Sequence, residues 1–429
     1  MDIEKLRKQL EIDEGVKYEI YNDHLGLATF GIGHLVIPSD KEHGEPVGTV
    51  ISEERVKECF DNDVKSVLRD CSLLYKDFDE LPIGFEKEDY QKHFEFWKNK
   101  NVPNSWVKFR DIALYWIEKG VDGFRYDMAE MVPVEFWSYM NSAIKMKNPN
   151  AFLLAEVYNP KMYRDYINKG KMDYLYDKVQ LYDTIKNIMQ GRGLTDNIPP
   201  ILEDLKDIEH HMLHFLENHD EQRIASPEFA GNAKKAKPAM VVSATISTAP
   251  TMVYFGQELG EDGSENAGFG SPSRTSIFDY VGVSALQRWV NNKNFDGGQS
   301  TKEELALRDF YKKLLNFTIN SNALMGEYED LHQFNRENTN NYNHKIVSFS
   351  RFSENEKLII ISNFDDKNAH EFQLKIPSEI IKKWSLEDGN HQLNEKLYDS
   401  EKFTLVVNKS NGTVNIKIEP LESYILQLQ

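Results

Sequence analysis

Apolar positions at Ile3, Leu6 and Leu10 recur at helical spacing and predict a first helix. A short Gly-rich β region follows. A second helix is predicted over 52–74, with Ser52 as its N-cap and Arg55 where a capping box would place Glu. From 83 to 103 the text turns charged and irregular (Gly84-Phe85-Glu86-Lys87-Glu88-Asp89) and reads as a connector. Between 104 and 342 short apolar runs alternate with helical stretches, the βα signature of a parallel sheet. Asn104 or Ser105 caps a helix with Phe109, Ile112, Ala113 and Trp116 on one face, and Gly120 ends it. Five strand-like runs follow at 123–127, 152–156, 174–176, 212–216 and 252–255, separated by helical stretches such as 133–146 and 233–246. From 343 the period drops to two, as in Phe372/Leu374/Ile376 and Val414/Ile416/Ile418, which predicts an antiparallel β domain over 343–429. No internal repeat is present.

The chain has 429 residues, enough for two to three domains at about 150 residues each. Lys+Arg 51 against Asp+Glu 69 leaves a net charge of −18, which argues against a nucleic-acid backbone or an anionic membrane as the main partner. Cys59 and Cys71 fall on one predicted helix, roughly 18 Å apart at 1.5 Å per residue. That is too far for a disulfide, and two thiols alone make no zinc site. The N-terminus lacks the basic start and apolar core of a signal peptide. The longest uncharged run, 238–257, is too rich in Ser and Thr and too interrupted by Pro250 to span a bilayer. A soluble cytoplasmic protein is the expectation.

Three of the five apolar runs end at an acid: Asp127 closes GVDGFRYD, Glu156 closes AFLLAE, and Asp220 follows HFLENH. In a (β/α) barrel the C-terminal strand ends converge on one mouth, so acids 29 and 64 residues apart in sequence meet in space. Arg125 and Asp127 lie two apart, on the same side of a strand. A guanidinium there orients a carboxylate and stabilises its charge. A single Asp after a strand is more often a helix cap, and Arg125–Asp127 alone would pass as a structural ion pair. His219 alone would pass as a hydrogen-bonded loop histidine. Three such endings in order, with Arg125 and His219 beside them, point to paired-carboxylate chemistry on a glycosidic bond.

GVDGFRYDMAEMVP, FLLAEVYNP and FLENHDEQR resemble three of the four conserved stretches of the alpha-amylase family of glycoside hydrolases, and VYFGQELG resembles that family's last barrel strand. The likeness runs from 104 to the C-terminus. It implies Asp127 as nucleophile, Glu156 as general acid/base, Asp220 as the acid that binds and distorts the sugar, and Arg125 and His219 as subsite ligands. The family's first conserved stretch, Asp-x-x-x-Asn-His, is absent, and five βα units are visible where a closed barrel takes eight. The expected fold class is therefore α/β: a partial (β/α) TIM-type barrel of about five units over 104–342, followed by an antiparallel β-sandwich domain. Because the family's calcium sites draw on the missing part, no metal is expected, and no cofactor.

Residues 1–82 form a small α+β lobe of a different kind. Ile12-Asp13-Glu14-Gly15, Tyr21-Asn22-Asp23 and T-x-GIGH, followed by the long helix, resemble the N-terminal lobe of phage-type lysozymes. The resemblance implies Glu14 as general acid, Asp23 as second carboxylate and Thr29 as the water-positioning residue. The helical second lobe of such enzymes is missing after 82, so the chain reads as a chimera of two truncated sugar-cleaving folds. The leading expectation is a retaining hydrolase of alpha-1,4-glucans, impaired by the missing strands. The alternatives are a muramidase acting on peptidoglycan and an inactive carbohydrate-binding or engineered scaffold.

Overall fold

The computed structural model describes residues 3–13, 15–264, 274–275, 283–398 and 402–429. These fall into two units, Met1–Leu81 and Pro82–Gln429.

In the first unit, α1 (Ile3–Asp13) precedes an antiparallel sheet of β1 (Lys17–Asn22), β2 (Ala28–Gly31) and β3 (His34–Leu35), and α2 (Glu53–Leu74) follows. Ser52 caps α2 by accepting the Arg55 N–H at 3.2 Å. The small core gathers Ile20, Phe30, Ile51, Val56 and Cys59. Gly31 ends β2 with φ +64°, and a Cβ there would stand 2.9 Å from Val56 Cγ1. Both the left-handed backbone and the close approach of α2 thus require glycine at this point of the GIGH sequence.

The second unit opens with α3 (Lys87–Lys98) and α4 (Asn104–Glu118). The stretch read as an irregular connector is thus largely helical. Its charged start is a capping box between Glu86 and Asp89, and Tyr90, His93 and Trp97 bury one stripe. The apolar face expected on α4 also sits differently. Ala113 and Ile117 are buried, whereas Phe109, Ile112 and Trp116 are 59%, 55% and 49% exposed. Helix α4 packs instead through Trp106, whose ring lies 5.5 Å from that of Phe136. Periodicity groups residues on a face; it does not say what covers that face.

The parallel sheet then forms from β4 (Gly123–Tyr126), β5 (Phe152–Ala155), β6 (Tyr174–Tyr176), β7 (Met212–Phe215) and β8 (Thr251–Met252), in that spatial order. Between them run α5 (Val134–Lys147), α6 (Tyr163–Asn168), α7 (Asp183–Met189), α8 (Ile198–Asp204) and α9 (Lys237–Thr245); α10 (Ser284–Val290) and α11 (Lys302–Asn320) follow. Among the described residues no strand pairs with the outer edge of β4 or of β8.

The C-terminal region departs from a two-sheet sandwich. Strands β9 (Glu327–Asp330), β10 (Ile346–Phe352), β11 (Lys357–Asn363), β12 (His370–Ile376), β13 (Gly389–Glu395), β14 (Lys402–Asn408), β15 (Asn411–Ile418) and β16 (Ser423–Leu428) form one antiparallel sheet ordered β12-β15-β14-β13-β16-β11-β10-β9. The ladder from Leu393↔Leu428 to Glu395↔Leu426 joins the halves that a sandwich would separate. One face gathers Ile359, Ile361, Leu374, Leu405, Ile416 and Leu426 around a core of its own. On β10, β11 and β16 the opposite face, with Phe349, Ile360 and Ile425, joins the core of the parallel sheet and its helices.

A polar chain ties α3 to α5. The Trp97 Nε1–H donates to Ser138 Oγ at 2.8 Å, and Ser138 Oγ lies 2.7 Å from His93 Nδ1. His93 Nε2 lies 2.8 Å from the Pro82 carbonyl, which can only accept, so Nε2 carries the proton and Nδ1 accepts from Ser138. Burial, aided by the Lys171 charge, pushes the His93 pKa down to about 4. Between the ordinary value and 4 the unfolded chain binds the extra proton, so stability falls as pH drops through that window. The loss should total roughly 3 kcal/mol at 1.36 kcal/mol per unit. Urea unfolding across the window should show a shallower pH slope in His93→Gln than in the wild type. Equal slopes would refute the assignment.

Candidate functional site

The register of the parallel sheet places two of the acids. Arg125 pairs with Leu154 and Tyr126 with Ala155, so the next rung brings Asp127 beside Glu156. Adjacent strands lie about 4.8 Å apart. The ladder continues through the Glu156 N–H to the Tyr126 carbonyl at 3.0 Å. Beyond the strand, the chain turns through Met128 in the left-handed region at φ 43°. That turn aims the Met128 N–H at Glu156 Oε2, 2.9 Å away. Glu130 ties the two loops together by accepting the Tyr158 and Asn159 N–H groups at 2.9 and 2.8 Å.

Arg125 bridges the pair. Its Nη1 donates to Asp127 Oδ1, and its Nη2 lies 3.3 Å from Glu156 Oε2. Burial works against the guanidinium charge, but hydrogen bonds to Asp127 and Tyr176 and the Glu156 carboxylate outweigh it, so its pKa is raised. The Arg125 guanidinium also lies over the Tyr176 ring, 5.7 Å from its centroid. The two carboxylates differ in setting: the Asp127 side chain is 72% exposed and that of Glu156 6%. The Tyr158 phenol hydrogen-bonds Glu156, and burial above all, then that bond, raises its pKa.

Asp220 follows β7 on a turn held by Asn218, whose Oδ1 accepts the Asp220 and Glu221 N–H groups at 2.8 and 2.9 Å. His219 Nε2 lies 3.0 Å from Asp220 Oδ2, and Arg274 Nη2 lies 3.4 Å from Oδ1. The negative charges of Glu156 and Asp220 both act on the Tyr176 and Tyr158 phenols. All three acids therefore stand at the C-terminal end of the sheet, with Arg125 and His219 among them.

Several groups around this mouth escaped the sequence reading. Tyr158 and Glu130 lie in the motifs that carry the acids, and a motif does not say which of its polar members turn inward; Tyr176 lies on β6, outside those motifs. Asp177 ends β6 as the other acids end their strands. It is buried, with Oδ1 accepting the Leu181 N–H at 3.1 Å and Oδ2 lying 3.5 Å from His214 Nδ1. On either side of Asp220 in the sequence, Glu217 and Arg223 form a fully buried ion pair at 2.8 Å.

In the first unit Asp23 sits in the β1–β2 turn. Its Oδ1 accepts the Leu25 and Leu27 N–H groups at 2.8 and 2.9 Å, and the Leu27 bond chiefly holds its pKa below the usual carboxylate value. Thr29 is buried on β2 and donates to the Leu27 carbonyl at 3.2 Å. Glu14 lies outside the described residues. Among the described residues, side chains able to hold a metal ion converge at His34, Asp40 and Cys59. No helix among them is long and apolar enough to cross a membrane.

Comparison with known proteins gives a family. Residues 88–323 match the alpha amylase catalytic domain, and residues 337–429 the alpha amylase C-terminal all-beta domain. The intracellular maltogenic amylase of Bacillus subtilis is 27% identical over 161 residues, 36% of this chain and 27% of that protein. Alpha-amylase 3 of Dictyoglomus thermophilum is 25% identical over 307 residues, 66% of this chain and 58% of that protein. The chain thus spans less than two thirds of these relatives' length. The crystal structure of the alpha-amylase from Geobacillus thermoleovorans complexed with acarbose superposes with a TM-score of 0.56 at 18% identity. It covers 80% of this chain and 69% of that one, a likeness of fold.

Proposed function

Because the chain belongs to the alpha-amylase family of glycoside hydrolases, we propose that it cleaves alpha-1,4-glucans by double displacement with retention of configuration. The observation that carries this reading is the Arg125 guanidinium held between Asp127 and Glu156 on neighbouring strand ends. A retaining glycosidase needs two carboxyl groups roughly 5–5.5 Å apart, one to attack the anomeric carbon and one to protonate the leaving oxygen.

Asp127 is the nucleophile in this proposal. Its side chain is open to solvent, and Arg125 orients it. Glu156, enclosed and hydrogen-bonded by Met128 and Tyr158, protonates the departing glucosyl oxygen and then takes the proton of the incoming water. Asp220 grips hydroxyls of the reacting ring, with Arg125 and His219 as further contacts. The maltogenic and cyclomaltodextrin-cleaving activities named for relatives suggest short alpha-glucans as substrates. A closed barrel has eight strands, against five in the parallel sheet among the described residues. With no strand beyond β4 among the described residues to complete that side of the cleft, turnover is expected to be slow for the family.

Among the described residues nothing gives the muramidase reading a comparable pairing, and Asp23 is engaged in its own turn. The test is reducing-end release from soluble starch and maltotetraose, with the anomer of the first-formed product read by proton NMR. Alpha products are expected. Beta products, or clearing of bacterial cell walls with starch untouched, would overturn the proposal.

A further inference from the structure

We propose that His34, Asp40 and Cys59 form a zinc-type cation site in the first unit. The three come from separate elements: His34 opens β3, Asp40 lies in the loop after it, and Cys59 sits on α2. One donor atom from each lies within 4.8 Å of the other two, and His34 Nε2 is 3.1 Å from Asp40 Oδ2. A tetrahedral zinc takes its sulfur at about 2.3 Å and its nitrogen and oxygen near 2.0–2.2 Å. Donor atoms gathered within 4.8 Å of one another are near enough to share one such ion. A thiolate, an imidazole and a carboxylate together suit zinc better than magnesium or calcium, which prefer oxygen.

A second observation points the same way. Asp63, one turn beyond Cys59 on α2, places Oδ2 2.7 Å from His34 Nδ1. A carboxylate there fixes the proton on Nδ1 and leaves the Nε2 lone pair, on the Asp40 side of the ring, for a metal. This is the support that metal-bound histidines receive from their outer neighbours. The local charge also favours a cation. Asp40, Glu42 and Glu58 surround the guanidinium of Arg55, whose Nε and Nη2 are held by Glu42 at 2.9 and 2.8 Å, and Asp63 adds a fourth carboxylate beside His34. Arg55 reaches Asp40 only at 3.3 Å, through Oδ1, and Oδ2 otherwise accepts the Ile37 N–H at 2.7 Å. The Phe30 ring, 4.8 Å from that of His34, supplies an apolar wall. The competing account is an imidazolium held between two carboxylates with an inert core thiol beside it.

The full-length protein, stripped with a chelator and kept reduced with a phosphine, should take up one equivalent of Co²⁺. Binding should produce a thiolate-to-cobalt charge-transfer band in the near ultraviolet that Zn²⁺ then removes. The band should vanish in Cys59→Ser and persist in Cys71→Ser. No band in the wild type, or one that survives in Cys59→Ser, overturns the site. Replacing a core thiol can unfold the unit, so Asp40→Asn is measured beside it. Zn²⁺ should raise the wild-type Tm and leave that of Asp40→Asn unchanged, and equal shifts in both would also overturn it.

Discussion

Glu156→Gln should lower kcat on soluble starch by about 10²–10⁴-fold, the usual range for loss of general acid–base catalysis, with KM roughly unchanged. The glutamine keeps the shape of the side chain and an oxygen for the Met128 N–H, so the strand ends should not move. What it loses is the proton for the leaving oxygen. The deficit should therefore shrink on an aryl glucoside whose phenolate departs unassisted. Asp127→Asn behaves differently under the same reading. Without a nucleophile no glycosyl intermediate forms, and a better leaving group does not restore the rate. Equal losses for both variants on both substrates would show that the two roles are misassigned. A Glu156→Gln enzyme with wild-type kcat on starch would remove this site from the reaction altogether.

The acids at 127, 156 and 220 were legible because each follows an apolar run, and a parallel sheet sends all such ends to one side. Order along the chain therefore translated into proximity. Other features depend on tertiary surroundings that spacing does not encode. Helix α3 was lost in charged text because its buried stripe, Tyr90, His93 and Trp97, includes a histidine that counts as polar until it is seen bonded to Ser138 and Pro82. On α4 the large apolar residues share a face, yet the helix packs by way of Trp106, Ala113 and Ile117, leaving Phe109 and Trp116 outward. The C-terminal strands were readable from their period of two. Their union into one sheet was not, because alternation fixes which side chains face inward and leaves strand order open.

Glu217 and Arg223 show the same limit and carry the largest stability effect. FLENHDEQR displays both, but only the fold reveals that each side chain is wholly removed from solvent. Arg223 Nη1 donates to Glu217 Oε1 at 2.8 Å and to the Phe255 carbonyl at 2.9 Å, Nε donates to Thr275 Oγ1 at 2.6 Å, and the guanidinium lies 4.5 Å from the Tyr254 ring centroid. Glu217 Oε2 accepts the Ile224 N–H at 2.6 Å. Burial raises the Glu217 pKa in spite of Arg223, so removing the arginine leaves a carboxyl group that must either take up a proton or remain charged without a partner. Arg223→Ala should accordingly cost about 3–5 kcal/mol, the usual penalty for breaking a buried pair from one side. Urea unfolding of the second unit would read that cost as an early transition. Glu217→Gln should be similarly destabilising, because it strands the guanidinium. The double variant Glu217→Gln/Arg223→Met should lose less than the sum of the two single changes, since neither charge then remains buried alone. Additive losses would mean that the two side chains contribute separately. In that case the pair would not act as a coupled unit holding the segment from Glu217 to Arg223.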